Sequence, residues 1–120
     1  MPIVYRTRVF AVEVERRRFP NGTEHEVAIV RHAPSVVLAP LVEGGRVLLV
    51  RQYRPSLDRD TWELPAGGVN AGETAEAAAM RECIEETRLA PGRMERVRGL
   101  YPAPGFCDEE LIFFRAGVSD

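Results

Sequence analysis

Gly67-Gly68-Val69-Asn70-Ala71-Gly72-Glu73-Thr74-Ala75-Glu76-Ala77-Ala78-Ala79-Met80-Arg81-Glu82-Cys83-Ile84-Glu85-Glu86-Thr87-Arg88-Leu89 is the stretch on which the fold turns. It opens inside a glycine-rich loop, Pro65–Gly72, where Gly67, Gly68 and Gly72 permit backbone geometry that other residues resist. Thr74 carries the hydroxyl of an N-cap. Ala75–Arg88 then runs without proline or glycine through good helix formers until Pro91-Gly92 stops it. At about 100° per residue, Ala77, Met80, Cys83, Ile84 and Thr87 share an arc that reads as the core face. Glu82, Glu85 and Glu86 gather on roughly the opposite arc, with Arg81 at its margin. Carboxylates at such spacings repel one another by a few tenths of a kcal/mol per pair on an exposed helix. They suit either a solvated face or a hard divalent cation, which takes carboxylate and water ligands.

Outward from this helix the chain reads as strand. In Ile3–Arg16, Phe10, Val12 and Val14 alternate with Ala11, Glu13 and Glu15, the period of a half-buried strand. Pro20-Asn21-Gly22 supplies turn chemistry and Val27–Val30 the return, which makes a hairpin. Ser35–Val42 is a third strand, whose Pro40 belongs at an edge or a bulge. Glu43-Gly44-Gly45 turns into a fourth, Arg46–Tyr53. Ser56–Thr61 is a loop, Trp62-Glu63-Leu64 a short strand, Met94–Leu100 and Leu111–Ala116 two more, and Tyr101–Asp108 a loop between those. A mixed sheet with one clear helix is an α/β arrangement of the α+β type. Residues 1–34 are expected to form an N-terminal hairpin unit and residues 35–120 the main domain.

The 120 residues are enough for one core. All sixteen basic residues are arginine, which excludes Schiff bases, lysine general bases and the lysine of ATPase phosphate loops. Anion chemistry must therefore go through guanidinium, although GC-rich coding also produces such a bias. A net charge of −2 argues against a nucleic-acid partner held by a basic face. From Glu63 to Glu86 there are six glutamates against the single Arg81, a sign suited to a cation. Cys83 and Cys107 are too few for a disulfide framework. Met1–Phe10 has no signal-peptide pattern, and the apolar runs Val36–Ala39 and Val47–Val50 are far short of a membrane span. The expected setting is cytoplasmic, with no membrane partner. His25 and His32 read as isolated surface residues.

The spacing that begins at Gly67 resembles the Nudix box, the signature of hydrolases that cleave a nucleoside diphosphate linked to another group. Gly67, Glu73, Arg81, Glu82, Glu85 and Glu86 fill six of its seven fixed positions. Arg88 stands in the glycine slot and Cys83 in an aliphatic one. Arg88 puts the end of the helix in question, because a side chain strains the left-handed cap. Beyond the box, Val50-Arg51-Gln52-Tyr53-Arg54-Pro55, Trp62-Glu63-Leu64-Pro65-Ala66-Gly67 and Tyr101-Pro102-Ala103-Pro104-Gly105-Phe106-Cys107-Asp108-Glu109 look like segments of the ADP-ribose pyrophosphatase branch. Pro104 matches that branch's proline, which follows the box by about fifteen residues.

The resemblance implies a Nudix α/β/α sandwich with a mixed sheet and an N-terminal hairpin extension. It implies two to three Mg²⁺ ions, with Mn²⁺ as an alternative, held by Glu82, Glu86, Glu85 and the carbonyl of Ala66. Arg81 would orient the carboxylates, while Gly67, Glu73 and Leu89 would shape the motif. Arg54 matches a phosphate-contacting arginine; Arg51, Glu63, Pro104, Gly105 and Glu109 match positions near the substrate. Arg51 and Arg54 lie on opposite faces of a straight strand, so Arg51 reads equally well as a surface residue. The implied reaction converts ADP-ribose, or a related nucleoside diphosphate sugar, to AMP and ribose 5-phosphate through metal-activated water. Rival readings are a Nudix hydrolase for a dinucleotide polyphosphate or an oxidised nucleoside triphosphate, and a module that binds ADP-ribose without cleaving it. Tyr5, Phe10 and Phe19 are candidates either for an adenine clamp or for ordinary packing. A homodimer through the N-terminal strands is also in character. That family continues with further strands, a second long helix and a glutamate-bearing loop, so the natural chain is expected to extend past Asp120 and to carry its general base there.

Overall fold

The computed structural model describes residues 2–119, which fall into two units: residues 2–34 with Tyr101–Glu110, and Ser35–Leu100 with residues 111–119. In the first, β1 (Ile3–Arg6), β2 (Phe10–Arg18) and β3 (Glu24–His32) form an antiparallel sheet in the order β1-β2-β3. The β2–β3 ladder runs from Phe10 opposite His32 to Arg18 opposite Glu24. Phe19 N–H donates to the Thr23 carbonyl at 2.7 Å and closes the turn. The continuous strand expected from Ile3 to Arg16 is broken at Thr7. Its hydroxyl accepts the N–H groups of Val9 and Phe10, both at 3.0 Å, and so competes with the ladder. The Tyr101–Glu110 loop is held to β3 by main chain: Val30 N–H donates to Phe106 at 2.7 Å and Asp108 N–H to Val30 at 3.1 Å.

The second unit contains β4 (Ser35–Val42), β5 (Arg46–Val47), β6 (Val50–Arg54), β7 (Arg59–Glu63), β8 (Ala66–Gly68), α1 (Ala75–Thr87), β9 (Ala90–Pro91), β10 (Glu95–Leu100) and β11 (Leu111–Ser119). Its six-stranded sheet follows the order β10-β11-β4-β5, with β8 on β4 and β9 on β11. β4 and β11 pair in parallel from Ser35–Leu111 to Leu41–Gly117, and the other pairings are antiparallel. The sheet is therefore mixed.

Pro40 sits in this central strand and is fully buried, not at the sheet's edge. β8 covers only Ser35–Val37 on that flank and β5 only Leu41–Val42, which leaves a gap opposite Pro40. The Pro40 carbonyl accepts from Leu48 N–H at 2.9 Å on the same flank, so the missing proline N–H costs no ladder bond. The strand expected over Arg46–Tyr53 is two strands. β5 stays on β4, whereas β6 pairs with β7 as a separate hairpin with Gln52 opposite Thr61 and Arg54 opposite Arg59.

The largest correction concerns the helix. Its buried residues are Ala78, Ala79, Glu82 and Cys83, whereas Met80 and Ile84, expected inside, are 39% and 51% exposed. The buried arc is the one with the smallest side chains, and these let α1 approach β4 and β8 closely. Ala78, Ala79 and Cys83 pack on Val36, Leu38, Ile112 and Phe114, the core of this unit. Glu82 thus lies on the inward face, and Glu86 lies on the same arc one turn later.

Thr74 caps the helix start, its hydroxyl accepting from Ala77 N–H at 3.1 Å. At the other end Arg88 takes φ 61° and ψ 17°, and its N–H donates to the Ile84 carbonyl at 2.9 Å. The left-handed cap forms despite the side chain, at a cost of about 1 kcal/mol. Arg88→Gly should stabilise the protein by about 0.5–1 kcal/mol, read as a higher urea midpoint at unchanged m-value.

Candidate functional site

β8 runs antiparallel to the start of β4 and carries Ala66–Gly68 to the edge of α1, where the glycine loop begins. Gly67 has ordinary backbone geometry; Gly72 is the loop glycine with positive φ, +78°. Gly67 is needed for space. A Cβ there would overlap the Glu82 carboxylate, so that carboxylate rests directly on the glycine backbone.

Arg81 joins the loop to the helix. Its Nε donates to Glu73 Oε2 at 2.8 Å, and Nη2 donates to Glu73 Oε1 and to the Gly68 carbonyl, each at 2.9 Å. Nη1 reaches Glu82 at 2.8 Å and Glu85 at 3.4 Å. Glu73 also accepts the Asn70 N–H at 3.0 Å. The Arg81 fork, aided by that N–H, holds the Glu73 carboxyl down at about 2. Burial pushes the Glu82 carboxyl upward against the opposing pull of Arg81, and Glu85 and Glu86 add repulsion. Glu85 and Glu86 themselves are exposed. Leu89 is half-buried, and its N–H is taken by the Thr87 hydroxyl at 3.1 Å.

One guanidinium among Glu73, Glu82, Glu85 and Glu86 leaves a strong excess of negative charge. Among the described residues no three acidic, histidine or cysteine side chains converge as a finished cation cage. Arg81 bonds three of these carboxylates, Glu73, Glu82 and Glu85, instead. The donor set is nevertheless of the right class: three carboxylates along one helix, with the Ala66 carbonyl next to the glycine on which Glu82 rests. Hard oxygen donors of this kind fit a divalent cation such as magnesium or manganese.

The β6–β7 hairpin supplies the opposite charge. Arg54 donates from Nε to Glu63 Oε2 at 2.7 Å and from Nη2 to Glu63 Oε1 at 2.6 Å. Glu63 also accepts from the Thr61 hydroxyl and from Gln52 Nε2, the latter at 3.4 Å. The Arg54 fork holds the Glu63 carboxyl at about 2, and Glu86 is near enough to add to the field at Arg54. Arg51 points to the other face, where it bonds Asp60 at 2.9 Å and lies 5.7 Å from the Trp62 ring centroid.

Pro104, Gly105 and Glu109 belong to the first unit. There Asp108 accepts the His32 N–H at 2.8 Å and an Arg31 N–H at 3.3 Å, and His32 Nδ1 lies 3.3 Å from Glu109. His32 is therefore not the isolated surface residue that the sequence suggested. His25 is exposed, but its ring stands 4.7 Å edge-on from Phe19. Asp108 and Thr61 were missed because their meaning lies in their partners, which for Asp108 are 76 and 77 residues away. Tyr5 is 62% exposed, Phe19 partly so and Phe10 half-buried.

A Nudix domain model matches residues 31–120. The chain is 33% identical over 113 residues to the ADP-ribose pyrophosphatase of Bacillus subtilis (strain 168), covering 94% of this chain and 61% of that protein. It is 34% identical over 114 residues to the ADP-ribose pyrophosphatase of Mycobacterium tuberculosis, covering 93% and 55%. To the methanol dehydrogenase activator of Bacillus methanolicus it is 33% identical, covering 97% and 63%. The chain thus spans about three fifths of the length of these relatives. A crystal structure of an ADP compounds hydrolase superposes with a TM-score of 0.85 at 24% identity, over 97% of this chain and 63% of that one.

The Arg81–Glu73 pair makes a direct prediction. Since Glu73 titrates at about 2, well below the ordinary carboxylate value, the pair's stabilisation is full above that ordinary value and is lost as pH falls towards 2. In Arg81→Gln, carbon-detected NMR titration of Glu73 should return the carboxyl to the ordinary range. An unmoved titration would remove Arg81 as the cause.

Proposed function

This chain belongs to the Nudix family, and on that premise we propose that it carries the catalytic face of a cation-dependent pyrophosphatase acting on ADP-ribose or a closely related nucleoside diphosphate sugar. The observation that carries the reading is the juxtaposition of opposite charges. Glu82 is sunk against Gly67 and flanked by Glu85 and Glu86, while the Arg54 guanidinium, its Nε and Nη2 engaged by Glu63, lies within electrostatic reach of Glu86. A diphosphate that shares its charge between bound cations and a guanidinium needs that pairing.

Glu82, Glu86, Glu85 and the Ala66 carbonyl would hold two to three cations, Mg²⁺ or Mn²⁺. When bound, such ions neutralise the diphosphate and acidify water. The chain's own part is to place charge. Arg81 fixes the rotamers of Glu82 and Glu85, and Glu73 fixes Arg81 in turn, as metal ligands generally require. Arg54 binds the diphosphate oxygens. Pro104, Gly105 and Glu109 are kept as substrate-proximal by the family resemblance, with Arg51 peripheral. Hydrolysis of the phosphoanhydride releases AMP and ribose 5-phosphate. The relatives named ADP-ribose pyrophosphatases support this choice of substrate. The exposed Ile3, Val4, Tyr5 and Val9 support a homodimer through the N-terminal strands.

Full-length protein with ADP-ribose and Mg²⁺ should yield both products by chromatography, and Glu86→Gln should lower kcat by about a hundredfold or more. Near-wild-type turnover in Glu86→Gln would remove the ligand assignment. A substrate panel that favoured a triphosphate or a dinucleotide polyphosphate by kcat/KM would overturn the substrate. Tight calorimetric binding of ADP-ribose without turnover would turn the protein into a binding module.

A further inference from the structure

Arg54 is the only side chain assigned above to the diphosphate, yet two of its five N–H donors are engaged inside its own hairpin. Nε and Nη2 both face Glu63, at 2.7 and 2.6 Å, in a side-on bidentate pair. Nη1 has no partner among the described residues, which leaves one edge of the guanidinium open. Glu63 is held in turn by Thr61 on its own strand and by Gln52 across the ladder. Alternation along β6 and β7 puts Gln52, Arg54, Thr61 and Glu63 on one face of the hairpin, away from Arg51 and Trp62.

An arginine side chain has four flexible torsions, and that of Arg54 is 44% exposed, so without a partner it would sample many directions. It would also be drawn towards Glu86, whose field it already feels. An ionised carboxylate is a poor ligand for a diphosphate but a good jaw for a guanidinium.

We infer that Glu63 is a positioning residue: it clamps the Nε/Nη2 edge of Arg54 and keeps Nη1 aimed at the substrate diphosphate, while Gln52 and Thr61 hold the clamp. Glu63 then makes no contact with the substrate, and the two neutral donors act two steps away from it. Ordering the guanidinium before binding lowers the entropy lost on association, so the clamp acts chiefly on substrate affinity. This rests on the reading of Arg54 as the phosphate contact.

A double-mutant cycle on the full-length protein separates the two claims. Glu63→Gln keeps the shape but turns one acceptor oxygen into a donor. It should raise KM for ADP-ribose about tenfold with kcat within about threefold. Arg54→Ala should raise KM at least as much. In the Arg54→Ala background, Glu63→Gln should add less than about twofold. The slowly exchanging Arg54 Nε–H signal in ¹⁵N spectra should be present in the wild type and lost in Glu63→Gln. Thr61→Val, a milder change read through the same cycle, should raise KM about threefold only when Arg54 is present, and it serves if Glu63→Gln does not fold. If Glu63→Gln still costs tenfold without Arg54, Glu63 touches the substrate itself and the inference falls while the role of Arg54 stands. If Arg54→Ala leaves KM unchanged, both fall.

Discussion

The guanidinium of Arg81 directs all five of its N–H groups at acceptors of its own chain: Glu73 twice, the Gly68 carbonyl, Glu82 and Glu85. The larger unit depends on this. The contact to Gly68 and Glu73 fastens the glycine loop to the second turn of α1, and the contact to Glu82 makes it tolerable to bury a carboxylate against the sheet. Gly67 must lack a side chain because the buried carboxylate lies where a Cβ would be. Loop, helix and sheet therefore meet around one cation, and their relative placement is set by hydrogen-bond geometry rather than by bulky packing.

Small side chains complete that arrangement. Ala78, Ala79 and Cys83 let α1 approach Val36, Leu38, Ile112 and Phe114, and the same arc carries Glu82 inward. The helix presents Ala78, Ala79, Cys83 and Glu82 to the sheet while Met80 and Ile84 face outward. An inward glutamate beside a glycine backbone is costly as architecture and useful as chemistry. The Arg54–Glu63 hairpin face adds a guanidinium near the far end of the same carboxylate row. With no lysine in the chain, all fixed positive charge near these carboxylates is planar and forked, suited to oxygens in pairs.

Much of this was legible before any coordinates. Thr74 as cap, a helix starting at Ala75 and reaching the Thr87–Arg88 end, the β2–β3 hairpin and the mixed sheet follow from local propensity, turn residues and periodicity, each an interaction within a few residues. The box spacing was legible for the same reason, since its glutamates are one helical turn apart. What sequence missed was set from a distance. Pro40 reads as an edge residue because the gap between β8 and β5 opposite it is invisible in one dimension. Arg46–Tyr53 reads as one strand because nothing local says that its two halves pair with different partners. Asp108 and His32 carry no pattern until the Tyr101–Glu110 loop is laid on β3.

By itself the sequence determined most of the elements, the acidic helix and the family to which they belong, because those depend on spacings that survive in an extended chain. The tertiary structure decided which face of the helix is buried, why Gly67 must be glycine, and that Glu63 grips Arg54. Each of these depends on groups from separate elements approaching within hydrogen-bond distance, and a chain acquires such distances only when the sheet forms and the helix packs on it.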